Sequence, residues 1–216
     1  MKLMVWTIDS PDQHLPVVAA IAAAARVDGA TMTARSLSPT HDSLPTPGAS
    51  GAGLGQFVPG EPASAGLITI RLAPKSAALS PVLGETIRAQ IPGVRVASAR
   101  EHVAMAPSLE TTMSRIGLVA RKESLSLGAF WQHWTQVHVP LVLAHDPLFD
   151  GYTTNLLDDR SLPWSGVVEQ WFANPAAWAE HDRRLREERP VIVDDIGKFI
   201  SHVVQFEAVQ VATLRI

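Results

Sequence analysis

The order of predicted strands and helices occurs twice along the chain, and this repetition constrains the fold most. β-prone apolar runs predict strands, and alanine-rich or amphipathic runs predict helices. In the first half, strands are expected at 2–8, 31–37, 67–72 and 94–105, and helices at 17–26 and 77–90. In the second half, strands are expected at 114–121, 152–157, 167–172 and 201–211, and helices at 126–145 and 176–188. Each half therefore has the order strand–helix–strand–strand–helix–strand.

This order is that of the ferredoxin-like βαββαβ unit. A four-stranded sheet with helices on one face leaves its other face uncovered, and two such sheets facing each other remove that exposure. The prediction is an α+β fold in which two tandem ferredoxin-like units form an intramolecular α+β barrel. Residues 1–110 are expected to form a degenerate N-terminal unit, and residues 111–216 the unit that carries the candidate site. The alternative is one functional unit with a decorated N-terminal extension that serves dimerisation.

A segment rich in proline and glycine, residues 38–64, interrupts the first unit. No apolar period is present in it, which predicts a long surface loop. The run at 51–55 has the glycines of a phosphate-binding loop, but it lacks the flanking strand, helix and lysine that such a loop needs. A flexible insertion is therefore the preferred interpretation.

The composition excludes several functional classes. The formal net charge is −3 and no lysine or arginine run is present, so a nucleic-acid surface is not expected. No apolar run approaches about 18 residues, the length that a membrane span needs, and the first residues lack a signal-peptide pattern. Cysteine is absent, which removes disulfides, thiolate nucleophiles and cysteine-ligated metal centres. The simplest interpretation is a cytoplasmic soluble protein.

The stretch at 130–141 is the most informative segment for function. At about 100° per residue, one helix face carries Leu127, Phe130, Trp131, Trp134, Val137 and Leu141. His138 lies within the same stripe, so a titratable ring is placed on the face that packs against a sheet. Pro140 lacks an N–H and crowds the carbonyl of Gln136, and the helix is expected to kink or end near it. Such a histidine is either a hydrogen-bonded core residue or part of a site.

Four separate blocks of sequence between residues 113 and 211 resemble the EthD family. The first two are Phe-x-x-x-Trp-x-x-x-His-x-Pro-Leu at 130–141 and Gly-Tyr-x-x-Asn at 151–155. The third is Gly-Val-Val-Glu-Gln-Trp-Phe at 166–172, and the fourth is Asp-Asp-Ile-Gly-Lys-Phe-Ile at 194–200. The order and spacing of the blocks carry the resemblance, which spans about half of the chain.

The EthD family belongs to the dimeric α+β barrel superfamily of ferredoxin-like domains. The resemblance implies that a small ligand is held between a sheet and its helices, within the EthD-like unit 111–216. It also implies a cofactor-independent lyase, dehydratase or isomerase that acts on an apolar or aromatic catabolic or biosynthetic intermediate. Two alternatives are a cofactor-free monooxygenase, which also occurs in this superfamily, and a non-catalytic ligand-binding accessory protein. The expected assembly is a homodimer or a pseudo-dimeric monomer.

His138 is the candidate general acid or base, because an imidazole titrates close to neutral pH. Tyr152 and Asn155, on the strand expected beside the helix, are candidate catalytic donors to a developing oxyanion. Each has a structural alternative, a packed ring for Tyr152 and a strand-end amide for Asn155. The candidate substrate-binding side chains are Phe130, Trp131, Trp134 and Trp171.

No metal or cofactor is expected. His138 and His145 are separated by about two helical turns, which is too far for one ion. His133 and His138 differ in direction by about 140° on a regular helix. The sequence has no His-Glu-x-x-His pattern, no haem signature, and no spacing that adds His181 or His202 to a ligand set.

Overall fold

The computed structural model describes residues 2–7, 30–39, 66–91, 94–108, 110–111, 113–159, 162–187 and 190–215. Within these residues the strands are β1 Lys2–Thr7, β2 Thr31–Pro39, β3 Gly66–Arg71, β4 Arg95–Met105, β5 Met113–Arg121, β6 Phe149–Leu157, β7 Gly166–Phe172 and β8 Ile200–Arg215. The helices are α1 Ser80–Gln90, which follows a 3-10 helix at Pro74–Leu79, α2 Leu127–His133, α3 Val139–His145, α4 Pro175–Glu187 and α5 Pro190–Phe199. A π turn, Trp134–His138, joins α2 to α3. The helix expected at 17–26 and residues 40–64 of the insertion lie outside the described residues.

The described strands form a closed antiparallel barrel. Their order is β1-β3-β2-β8-β5-β7-β6-β4, and β4 pairs back to β1. The strands of the first half lie together as β4-β1-β3-β2, and those of the second half as β8-β5-β7-β6. The β2–β8 and β4–β6 ladders join the two halves. The α+β barrel that the sequence predicts is therefore confirmed.

The buried apolar residues divide between the barrel lumen and its outer surface. In β1, Leu3 and Val5 belong to the cluster under α1, whereas Met4 and Trp6 belong to the cluster that fills the lumen. This alternation follows from the period of two residues in a strand. A third cluster packs helices α2 to α5 against the outer face of the second-half strands, with Phe199 at its centre. The described part of the fold therefore has three buried apolar regions: the lumen, the layer under α1, and the helix–barrel interface under α2 to α5.

Of the two outcomes expected near Pro140, a kink or an end, the helix does not end: it continues to His145 with a π turn just before the proline. In the π turn the N–H of Val139 donates to the carbonyl of Trp134, five residues earlier. A proline ring crowds the carbonyl four residues before it, which here belongs to Gln136. Because a π turn widens the helix by one residue, it makes room for the ring without ending the helix.

Several other elements differ from their predicted extents, and three of these differences are informative. The strand expected at 31–37 extends to Pro39, so the first two residues of the 38–64 insertion belong to β2. The helix expected at 77–90 begins at Ser80, and Pro81 lies in its first turn, which tolerates a missing N–H. Residues 190–199, which lie outside the helices predicted from the sequence, form α5, and Pro190 occupies its first turn.

Replacing Gly166 by alanine is expected to destabilise the protein by about 1–3 kcal/mol, because the site has no room for a methyl group. A Cβ at this position would lie 2.4 Å from the indole of Trp134 and 2.8 Å from the backbone oxygen of Asn155. Thermal unfolding should report a fall on the order of 5 °C in the melting temperature. Gly128→Ala is the matched control, since nothing lies within 4 Å of its Cβ and alanine favours a helix. Equal melting temperatures for the two variants would contradict the expectation.

Candidate functional site

A cavity lies between the outer face of the second-half strands and the helices that cover them. Its polar lining residues are Arg115, Tyr152, Gln170 and Gln205 from the strands, His138 from the π turn and His181 from α4. Its remaining walls are mostly aliphatic, with the indole of Trp134. The volume is about 60 Å³, enough for several water molecules. A few polar groups on apolar walls are typical of a small-molecule site.

His138 is held by a carboxylate from another helix. Its ring is 4% exposed, and Nδ1 lies 2.9 Å from Oδ2 of Asp195 in α5. An ionised carboxylate only accepts hydrogen bonds, so Nδ1–H is the donor. The proton is thereby fixed on Nδ1, and Nε2 keeps a lone pair that can take a proton from a bound molecule.

Asp195 accepts hydrogen bonds from three side chains. Besides His138, Nε2 of His133 donates to Oδ1 over 3.1 Å and Nζ of Lys198 donates to Oδ1 over 3.3 Å. Burial by itself would raise the pKa of Asp195, but the bond from His138 and the neighbouring charges lower it to about 2. The carboxylate therefore stays ionised at neutral pH and orients the imidazole of His138.

The π turn brings His133 and His138 to the same carboxylate. On a regular helix these two side chains would point about 140° apart. The extra residue in the turn at 134–138 reduces that angle, and both rings contact Asp195. π turns occur often at functional sites, where they redirect a side chain.

The environment of His138 favours its neutral form. Burial is the largest effect and lowers the pKa, the hydrogen bond to Asp195 raises it, and the nearby His133 lowers it. The net pKa lies below the usual value. At neutral pH the ring is therefore a base rather than an acid.

Arg115 and Tyr152 supply two further polar groups of the cavity lining. Nη1 of Arg115 donates to Oδ1 of Asp182 over 2.6 Å, and Nε donates to Oε1 of Gln170 over 3.0 Å. Arg115 remains cationic, although burial lowers its pKa, because a guanidinium does not lose its proton in proteins. Burial raises the pKa of Tyr152, and interactions with Trp134 and Gln170 oppose this. The phenol therefore stays protonated and can donate a hydrogen bond.

A second histidine–aspartate pair lines the same cavity. Nδ1 of His181 contacts Oδ2 of Asp146, which follows the last residue of α3, and both side chains are buried. Helix α4 presents the charged pair Arg183 and Glu187 to solvent on one side, whereas its His181 points into the cavity.

Asn155 and Trp171 lie on the opposite side of the barrel wall from His138. Nδ2 of Asn155 donates to Oε1 of Glu169 over 2.9 Å, inside the lumen. The indole of Trp171 lies under the guanidinium of Arg35, 5.5 Å from its centre. Neither residue lines the cavity that contains His138.

Glu169 is the centre of a buried charge network in the lumen. Lys2 and Arg35 are its cationic partners, with Arg35 Nη1 at 2.8 Å from Oε2. Lys2 also donates to Glu101 over 3.1 Å. Burial alone would raise the pKa of Glu169, but Lys2 and Arg35 hold it at about 2.

Of the other aromatic residues that the sequence singles out, only Trp134 lines the cavity. Phe130 is fully buried and packs on Trp134 and Phe199, with ring centroids 5.1 and 5.7 Å away. Trp131 is half-buried and contacts the edge of Trp134. The structure therefore brings together three of the candidates, His138, Tyr152 and Trp134.

The sequence interpretation missed Asp195, Arg115, Gln170 and the His181–Asp146 pair. Asp195 lies within the fourth block that resembles the EthD family, but nothing in its spacing links it to His138. For Arg115 and Gln170 the strand period provides a signal. Both are polar residues at outward-facing positions in strands that are otherwise apolar on that face.

Among the described residues, no cluster of three or more His, Asp or Glu side chains could hold a metal ion. None of the helices in the described part of the chain has the length and apolarity that a membrane span requires.

Three solved structures share the fold of this chain. A proposed monooxygenase from Lactobacillus acidophilus is 10% identical, with a TM-score of 0.57 over 99% of this chain and 95% of that one. An anthrone oxidase-like protein is 13% identical, with a TM-score of 0.57 over 99% of this chain and 92% of that one. A proposed monooxygenase from Fusobacterium nucleatum is 7% identical, with a TM-score of 0.55 over 99% of this chain and 93% of that one. No family model and no curated protein matches the chain, so the EthD assignment stays a prediction.

Proposed function

We propose that this protein is an enzyme that removes a proton from an apolar, enolisable small molecule bound in the helix–barrel cavity. His138 is the general base and Nε2 is the atom that takes the proton. The observation that carries this proposal is the buried Asp195–His138 pair, with 2.9 Å between Nδ1 and the carboxylate. The carboxylate fixes the neutral tautomer and stabilises the imidazolium that forms on proton transfer.

The cationic and donor groups of the cavity stabilise the enolate that results. Arg115 adds a buried positive charge beside the developing oxyanion, and Tyr152 adds a hydroxyl that stays protonated. Both groups are fixed by the barrel strands before a ligand binds, which reduces the cost of reorganisation. Asn155 has no part in this step, since its amide is bonded within the lumen.

Two outcomes of this step need no oxidant. Return of the proton to another carbon makes the enzyme an isomerase. Loss of a leaving group makes it a lyase or dehydratase, as the EthD resemblance implies. Both outcomes use the imidazolium of His138 as the acid that returns the proton. This cofactor-independent lyase, dehydratase or isomerase is the first candidate.

A cofactor-independent monooxygenase is the second candidate. It is supported by the descriptions of two fold relatives as proposed monooxygenases and of a third as anthrone oxidase-like. In this route the carbanion is oxidised by dioxygen. A CH₂ group and O₂ give a carbonyl and one water, so one oxygen atom enters the product and the other leaves as water.

Deuterium exchange tests the proton-transfer step without knowledge of the natural substrate. 2-Indanone and anthrone, two enolisable aromatic ketones, are incubated with the purified protein in D₂O under argon, and deuterium incorporation is followed by mass spectrometry. The proposal predicts incorporation faster than in buffer alone. Oxygen uptake with the same ketones in air would favour the monooxygenase. Binding of either ketone without exchange or oxygen uptake would favour the non-catalytic ligand-binding protein.

We also propose that the barrel consists of two tandem ferredoxin-like units, 1–110 and 111–216, and that the second belongs to the EthD family. The strand orders β4-β1-β3-β2 and β8-β5-β7-β6 support the first part, because each half places its strands in the same relative order. The four sequence blocks support the second. On this proposal the chain is a pseudo-dimeric monomer, and a homodimer is the alternative. The protein would act in the cytoplasm on a small-molecule substrate.

A further inference from the structure

We infer that His181 is a second ligand-contacting residue of the cavity and that it selects ligands carrying a neutral hydroxyl group. The inference rests on the proposed function, because both place the ligand in the same cavity. It adds a feature of the substrate that the His138–Asp195 pair does not define.

The carboxylate of Asp146 fixes the tautomer of His181. Asp146 is buried, and its Oδ1 also accepts the N–H of Leu148 over 3.1 Å. Its Oδ2 contacts Nδ1 of His181. Because a carboxylate only accepts hydrogen bonds, the proton of a neutral ring lies on Nδ1 and Nε2 becomes an acceptor.

Nε2 of His181 is buried and has no hydrogen-bond partner within the described part of the chain. Oδ1 of Asp182 lies 3.8 Å from Nε2 and is itself an acceptor. Buried polar atoms in folded proteins are nearly always paired. The missing donor is therefore expected from a molecule in the cavity.

The surrounding charges decide which kind of donor fits. Arg115 lines the same cavity and its charge disfavours a cation beside His181, whereas the carboxylates of Asp146 and Asp182 act in the opposite direction. Burial is the largest effect on His181, and an ammonium group would have to lose its hydration in the same buried site. A neutral donor avoids that cost, and a carboxylate has no proton to donate. Burial lowers the pKa of His181, which keeps the ring neutral. A phenolic or alcoholic hydroxyl on an apolar skeleton is uncharged and can donate a hydrogen bond, so it fits this position.

Phenol and toluene are the probes, because they have nearly the same shape and only phenol donates a hydrogen bond. Their dissociation constants are measured by titration calorimetry on wild-type protein, His181→Phe and His181→Gln. In the wild type, phenol should bind more tightly than toluene, so the dissociation constant of toluene divided by that of phenol is large. In His181→Phe, which has no acceptor, this ratio should fall roughly tenfold or more. His181→Gln retains an amide acceptor and should keep the ratio within about threefold of wild type. Circular dichroism confirms that each variant folds.

A tautomer exchange provides a second readout that a purely structural role would not change. In Asp146→Asn the amide can donate to Nδ1, which moves the ring proton to Nε2. His181 then becomes a donor, so phenol should lose affinity and benzaldehyde, which only accepts, should gain it. Absence of phenol and toluene binding to the wild type, or a ratio unchanged in His181→Phe, would overturn the inference. Failure of the proposed function would be seen in a different measurement: deuterium exchange into the ketones would then be the same in the wild type and in a His138 variant.

Discussion

Replacing His138 by glutamine is expected to slow deuterium exchange into 2-indanone by about a hundredfold or more, the usual loss when a general base is removed. Glutamine can still bond to Asp195, so the helix–helix contact and the fold should persist. The measurement is the exchange rate per folded molecule, with the melting temperature recorded for the same sample. His145→Gln is the matched control, because His145 is exposed at the end of the same helix.

The pH dependence of exchange should identify the same group. Burial lowers the pKa of His138, so Nε2 is unprotonated at neutral pH and exchange should not change there. As the pH falls through the lowered pKa, the ring gains a proton, the base is lost and the rate should fall. Asp195→Asn should reduce the rate even at neutral pH, because the amide can donate to Nδ1 and leave the proton on Nε2.

A structural role for His138 would give the opposite pattern. His138→Gln would then lower the melting temperature and leave exchange per folded molecule at the wild-type rate. That result would remove His138 as the base, and the site would have to be reconsidered around His181 and Tyr152.

Replacing Glu169 by glutamine is expected to destabilise the protein by about 3–5 kcal/mol, the typical cost of leaving a buried charge without its partner. The change preserves shape but removes the anion that contacts Lys2 and Arg35, which are both buried. For a chain of this length the melting temperature should fall on the order of 10 °C. Denaturant unfolding gives the free energy directly.

Two comparisons distinguish charge pairing from a general sensitivity to mutation. Glu187→Gln removes an exposed partner of Arg183 and should change stability by less than about 1 kcal/mol. The triple variant Lys2→Met, Arg35→Leu and Glu169→Leu removes Glu169 together with its two cationic partners, while Glu101 keeps its ion pair with Arg71, and it should recover most of the lost stability. A Glu169→Gln variant as stable as Glu187→Gln would contradict the expectation.

The period of two residues in a strand is enough to separate two of the candidate catalytic residues. Tyr152 and Asn155 are three residues apart in one strand, so their side chains must point to opposite faces. The structure has Tyr152 facing the helices and Asn155 facing the lumen. The same argument separates Trp171 from Gln170, and only Gln170 lines the cavity.

The irregularity of the helix at 127–145 is present where the sequence predicts it, but its form is different. The sequence contains the cause, a proline at position 140 on an aromatic face. Whether a helix ends or widens at such a residue depends on what the following turn packs against. Val139 and Val142 are buried in the helix–barrel core, which favours continuation of the helix.

The sequence by itself determined most of the strand segments of the barrel and the placement of His138 on an apolar helix face, because both depend only on local periods of two and 3.6 residues. Tertiary structure alone decided that Asp195, 57 residues later, orients His138, and that Asp146 orients His181 across 35 residues. Such pairings require helices from different parts of the chain to pack on one barrel face. No short-range pattern encodes that packing, because the partner of a buried histidine is set by where its helix docks.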